Sequence, residues 1–291
     1  MHPNTTLGPV NLVVQDLSRS IAFYEQIIGF SEIQYQNNEA YLYANKDALL
    51  IRLKEDKEAK PVKERSHAGL YHFALLVPDR ESLATIVKHL ALQNVPLGGA
   101  DHLVSEAVYL SDPDGNGIEI YRDRPRKEWT YDASGYINMA TLALDGDGLI
   151  EEAGVWKGLP KGTVMGHVHM HVANLQEAEA FFEELLGFDV VSRFGGQALF
   201  MSAGGYHHHL GFNTWAGEGA VPQEKPAAGM ESYTIVLAND EEWDRVLGRF
   251  RGQPGTEERG DSLAIQDPSR MTIIFEKTQE KLSVFTEDTK P

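Results

Sequence analysis

Gly166-His167-Val168-His169-Met170-His171-Val172 is the stretch of this chain with the most chemistry in it. In a β-strand successive side chains point to opposite faces. On that alternation Val168, Met170 and Val172 share an apolar face, and His167, His169 and His171 share the other. Buried imidazole nitrogens need partners, so three of them on one face call for a common task. Further on stands Tyr206-His207-His208-His209. Read as a strand, it turns His207 and His209 one way and His208 the other. Histidines crowded onto two short segments are the composition of a metal site. The chain has no cysteine, so thiolate sites and thiol nucleophiles are excluded, and imidazole and carboxylate must hold any transition metal.

An internal repeat supplies the elements that position these residues. Asp16–Phe30 reads DLSRSIAFYEQIIGF and Asn174–Phe188 reads NLQEAEAFFEELLGF, at a constant offset of 158 residues. Each is an amphipathic helix, with Ile21, Tyr24, Ile27 and Ile28 at helical spacing in the first and Phe181, Leu185 and Leu186 in the second. Each ends at a glycine, Gly29 or Gly187, as suits a residue taking the left-handed conformation after a helix. Each follows a short apolar strand, Val10–Val14 or His167–Val172.

A weaker copy of the unit occurs twice more. Strands at Tyr71–Val77 and Ser232–Leu237 lead into helices expected at 79–90 and 240–250. Both of these units close on an Asp-Pro hairpin, at Asp112-Pro113 and Asp267-Pro268, followed by an apolar strand. The unit is therefore strand, helix and about three strands, present four times. Taken pairwise along the chain, the units make an N-terminal domain over 1–125 and a C-terminal domain over 163–291. An irregular connection, 126–162, lies between them with room for a short helix. The fold class expected is α+β.

Composition narrows the function. Lys and Arg number 26 against 43 Asp and Glu, a formal net charge of −17. Nucleic acid and anionic membranes would be repelled by such a surface. No apolar run is long enough to cross a bilayer, and the first residues lack a signal-peptide pattern. A cytoplasmic protein that engages neither nucleic acid nor membrane is expected.

The helix endings FYEQIIGF and FFEELLGF and the hairpin DPDGNGIEIY resemble the vicinal oxygen chelate superfamily (glyoxalase, bleomycin resistance and extradiol dioxygenase proteins). The resemblance spans roughly 7–125 and 163–278. It implies paired βαβββ modules whose mixed sheets curl into metal-holding cups. Within the superfamily the chain is most similar to two-domain bacterial catechol 2,3-dioxygenase-like proteins, of which one domain usually keeps its metal. The superfamily's ligand positions lie on the first and last strands of modules. Transferred here, they imply a set of His167, His209 and Glu276, which leaves open positions and suits Fe(II), Mn(II) or another divalent ion better than structural zinc.

His207, His169 and Tyr233 then become candidates to orient a ligand or move a proton, with Tyr206 as a further hydrogen-bond donor. His208 faces away. In the second module His72 and Glu119 stand at corresponding positions, but Pro9 and Ile51 occupy those of the first, so the N-terminal half reads as a scaffold without metal. The activity implied is extradiol cleavage of a small aromatic diol by O2, with Phe212 and Trp215 holding the ring. A glyoxalase-like isomerase or lyase on the same scaffold is the alternative, and ligand sequestration a third. The family also admits a homo-oligomer.

Overall fold

Four helix starts follow directly from capping residues, and each leads its chain back over a sheet. In the computed structural model, which describes residues 1–46, 48–63 and 66–278, Asp16, Asp79, Asn174 and Asn239 are extended and accept hydrogen bonds from the first-turn amides of their helices. The two helices of the long repeat, α1 (Leu17–Phe23) and its copy, each widen into a π-helical turn, Tyr24–Ile28 or Ala180–Leu186. Gly29 and Gly187 then end them in the left-handed region, at φ +95° and +83°. The expected helices are all present.

The first module comprises β1 (Thr6–Val14), α1, β2 (Glu32–Gln36), β3 (Glu39–Asn45) and β4 (Ala48–Glu55). The second is β5 (Gly69–Leu76), α2 (Arg80–Leu92), β6 (Gly98–Asp101), β7 (Ser105–Ser111) and β8 (Gly117–Asp123). A connection carrying the short α3 (Gly146–Glu151) leads to the third module, β9 (Val164–His171), α4 (Leu175–Glu179), β10 (Asp189–Phe194), β11 (Ala198–Ser202) and β12 (Leu210–Asn213). The fourth is β13 (Gly229–Leu237), α5 (Asp240–Phe250), β14 (Glu257–Arg259), β15 (Ser262–Gln266) and β16 (Thr272–Lys277). The α+β class and the four βαβββ modules are as expected. None of the described helices is long and apolar enough to cross a membrane.

Pairing of the modules differs from the expectation. One eight-stranded sheet runs β14-β15-β16-β13-β1-β4-β3-β2, and the other β10-β11-β12-β9-β5-β8-β7-β6. Module one therefore joins module four through β1 and β13, and module two joins module three through β5 and β9. Strand pairing thus crosses the 1–125 and 163–291 division at both seams. All four modules carry the same apolar pattern, so local sequence does not choose among the ways of pairing them. Apolar residues of strands and helices, such as Phe73, Val168, Tyr24 and Phe182, pack together in the core.

The Asp-Pro hairpins are built alike. Asp112 accepts from the amide of Asn116, and Asp267 from the amide of Met271, both at 2.9 Å. Burial pushes the Asp267 carboxyl up to about 6, against backbone hydrogen bonds from Met271 and Ser269. An acid whose folded pKa lies above its unfolded value of 3.8 weakens the fold as pH rises through that interval. Asp267→Asn keeps the acceptor and removes the charge. The variant should gain roughly 2–3 kcal/mol on the native chain between pH 4 and pH 7, read by urea denaturation at both values. A stability difference that does not change with pH would contradict this.

Candidate metal centre

The seam between β5 and β9 is where imidazole and carboxylate meet. Ala74 lies opposite Glu119 on β8 and opposite His167 on β9. Cross-strand neighbours share a face, so a fully buried alanine is bracketed by a carboxylate and an imidazole. His72, two residues earlier on β5, joins the same face. Nε2 of His72 and Nε2 of His167 each lie 3.0 Å from Oε2 of Glu119. One ligand atom from each residue falls within 4.8 Å of the others, and all three residues are buried.

This donor set fits a divalent metal. Two imidazole nitrogens and one carboxylate oxygen on one face leave coordination positions open. Nε2 of His72 is buried and, apart from its 3.0 Å contact with Glu119, has no partner, although a buried nitrogen normally has a well-aligned one. Burial lowers the His167 pKa to about 4, only partly opposed by Glu119, so its lone pair is available at neutral pH. Burial raises the Glu119 pKa, but the charges and hydrogen bonds of His167 and His72 outweigh it and hold the carboxyl well below its usual range. A carboxylate anion beside imidazole nitrogens is what a cation requires. Gly166, next to His167, has no room for a side chain, since its Cβ would fall 1.9 Å from the Tyr121 hydroxyl.

Of the residues expected to bind metal, only His167 is in this group. Glu276 lies on β16 of the other sheet, opposite Val236 and Ser262, because its module pairs with module one. Tyr233 is in that sheet too, fully buried opposite Val10, and so does not reach the centre. In that sheet Pro9 stands at the place of His167, Ser232 at that of His72 and Asn11 at that of His169, and Asn11 donates to Ser232 at 2.7 Å. His72 and Glu119, expected to belong to a scaffold, complete the group: their partner is module three, not Pro9 or Ile51.

The histidine cluster also departs from alternation. Residues 206–209 form no strand; β12 begins only at Leu210. His208 consequently turns inward, its ring centre 4.1 Å from that of His167. His209 turns away, with Nδ1 accepting from the Ala203 amide at 3.2 Å and its ring against Tyr206. Burial lowers its pKa to about 3. The bend rather than the residue types decides which imidazole faces the centre.

His207 is fully buried and shares hydrogen bonds with Asp123 and His208. Its Nε2 lies 2.8 Å from Oδ1 of Asp123, and its Nδ1 lies 2.8 Å from Nδ1 of His208. A carboxylate only accepts, so His207 donates from Nε2, and as a neutral ring it accepts at Nδ1. His208 must then donate from Nδ1, which leaves its Nε2 as an acceptor. Tyr206 also donates to Asp123 at 3.1 Å, and the Tyr121 hydroxyl lies 2.7 Å from that of Tyr206.

His169 has a different partner. Nδ2 of Asn213 lies 2.9 Å from its Nε2, and Oδ1 of the same amide takes hydrogen bonds from His171 and the Trp215 amide. Opposite His169 lies Gly211, at the place that matches Glu119 when β9 and β12 are superposed on β5 and β8. A Cβ at Gly211 would be 2.8 Å from the His169 ring. The imidazole thus covers the position where a fourth ligand would stand. Phe212 faces the helix side and packs on Phe182, whereas Trp215 packs edge-on to Tyr71 and against His169.

Tyr109 lies opposite Glu119 and hydrogen-bonds to it. Burial, followed by the Glu119 charge, raises its pKa well above 10, so the phenol stays protonated. His102 contacts its hydroxyl at 2.6 Å. Tyr71, His72 and Tyr109 help to line a cleft of about 1070 Å³.

A family model described as the Glyoxalase/Bleomycin resistance protein/Dioxygenase superfamily matches residues 6–120 and 164–275. A catechol-2,3-dioxygenase of Bacillus subtilis (strain 168) is 45% identical over 272 residues, covering 92% of this chain and 95% of the relative. Among solved structures, a putative dioxygenase from Bacillus subtilis superposes with a TM-score of 0.62 at 12% identity, covering 95% of this chain and 86% of the other. Glyoxalase I from Zea mays gives 0.54 at 13% identity, with 94% and 92% covered. At those identities the structural likeness is one of fold.

Proposed function

We propose, of a chain that belongs to the glyoxalase/bleomycin resistance protein/dioxygenase superfamily, that it is an Fe(II)-dependent extradiol dioxygenase opening a catechol-type ring beside its diol. The observation that carries this reading is the buried group of His72, Glu119 and His167, of which His72 also lines an open cleft. The near full-length similarity to a catechol-2,3-dioxygenase supports the same reaction.

His72, Glu119 and His167 would hold the metal, which when bound supplies open positions where a vicinal diol and dioxygen are brought together. The remaining steps belong to the chain. A catechol must lose a proton as it binds, and Nε2 of His208 is the acceptor at the end of the Asp123–His207–His208 series. Asp123 offsets the charge that results. Tyr109 gives its one hydroxyl proton to Glu119 and so helps to fix that carboxylate in place. Tyr71 and Trp215 supply flat apolar walls for the ring. His169 is tied to Asn213 and keeps its place above Gly211.

The test is anaerobic loading with Fe(II), then catechol and air. Ring opening takes both atoms of one O2 into the semialdehyde, so oxygen uptake should match catechol consumed, with a yellow product. Metal binding without oxygen uptake across several catechols would favour an isomerase or lyase, and absence of metal binding would end both readings.

A further inference from the structure

The cleft is larger than one ring requires, at the upper end of the size that encloses drug-sized ligands. Its far wall belongs to the other sheet and includes Met230, Arg270, Met271 and Thr272. The Met271 sulfur lies 4.0 Å from the place a Cβ on Gly69 would take. The 267–271 hairpin therefore closes over the start of β5, the strand that carries His72.

Arg270 stands out on two independent grounds. Its φ is +67°, in the left-handed region. The matching residue of the sister hairpin is Gly115, at φ +89°, in a turn with the same hydrogen bonds: Arg270 donates to the Asp267 carbonyl, and Gly115 to that of Asp112. A side chain at such a position has a backbone cost that glycine avoids, and sites of this kind gather where ligands bind. The second ground is charge. Each of the other described arginines makes an ion pair or a side-chain hydrogen bond, from Arg19 and Arg52 to Arg251 and Arg259. Arg270 makes neither among the described residues. On a chain of net charge −17, an arginine lining the cleft without a carboxylate partner is an exception.

We propose that Arg270 recognises a carboxylate carried by the substrate on the part of the ring remote from the diol. This rests on the dioxygenase reading and adds a substrate class to it. The planar guanidinium can grip a carboxylate through two parallel hydrogen bonds, while the diol end lies toward Tyr71, His72 and Tyr109, which line the same cleft. The turn sets the backbone of Arg270 at the cleft wall, from which its exposed side chain can reach a bound ligand.

Arg270→Gly installs the residue of the sister hairpin and should fold at least as well. In the Fe(II)-loaded protein, kcat/KM for a dihydroxyphenylacetate should fall by roughly 10- to 100-fold, the value of a charge-assisted hydrogen bond. The value for methylcatechol should stay within about threefold. Calorimetric binding of hydroxyphenylacetate against cresol gives a readout that needs no turnover. A preference for the acid that disappears in Arg270→Gly supports the inference even if no catechol is opened, in which case the dioxygenase reading falls alone. Ring opening with equal use of charged and neutral catechols, or an acid preference that survives Arg270→Gly, overturns it.

Discussion

Glu119→Gln should cost the protein its metal, while Glu276→Gln leaves metal binding unchanged. The glutamine keeps the size of the side chain and one acceptor oxygen but loses the negative charge that this buried group offers a cation. Without that anion, the desolvation of a divalent cation is no longer offset. Affinity should fall by more than about 100-fold, since residues that merely orient ligands can cost that much. His72→Ala should behave similarly. Glu276 is opposite Val236 in the other sheet, so its variant should bind metal within about twofold of the native chain. His209→Gln serves as the second control. Chelator competition with Fe(II) and Mn(II) measures all four. Retention of metal by Glu119→Gln together with its loss in Glu276→Gln would reverse the assignment.

The contrast between those carboxylates marks where the sequence stops being legible. Helix starts at Asp16, Asp79, Asn174 and Asn239 are local decisions, written in a capping side chain and the apolar period that follows. The four modules are legible for the same reason. His167 is too, because a strand with alternating Val and Met on its other face leaves little choice of direction. Pairing is not local. Each module offers an equivalent sheet edge, and apolar residues that pack one pairing would pack another.

The deciding signal was polar, and it lay across modules. His72 and Glu119 have no ligand partner in module one, where Pro9 and Ile51 stand, but they complete His167 of module three. Asn11 and Ser232 satisfy each other in the remaining pair, as expected where no ion compensates buried polar groups. His208 was hidden for a different reason. Alternation holds only in a strand, and the chain bends through 206–209 before β12 begins, so the period predicts the wrong imidazole.

That inward imidazole carries the second large effect. His208→Ala should lower kcat by about 10²- to 10⁴-fold, the usual contribution of a positioned acid or base, with metal affinity nearly unchanged. The ring touches His167 but supplies no ligand atom to the buried group, so the two measurements should separate. Asp123→Asn keeps an acceptor for His207 and removes the charge at the far end of the series. It should therefore cost less, about 10- to 100-fold in kcat. The direction with pH follows from burial, which holds His208 well below the ordinary imidazole value of 6.5, with His167 and His207 adding to the effect. The neutral, accepting ring is the active form, so activity is lost as pH falls through that lowered pKa, on the acid side of 6.5. Stopped-flow measurement of single-turnover ring opening against pH isolates this step from product release. A His208→Ala variant with native single-turnover rates would show that the ring only packs against His167. An unchanged acid limb in that variant would assign the limb to another group.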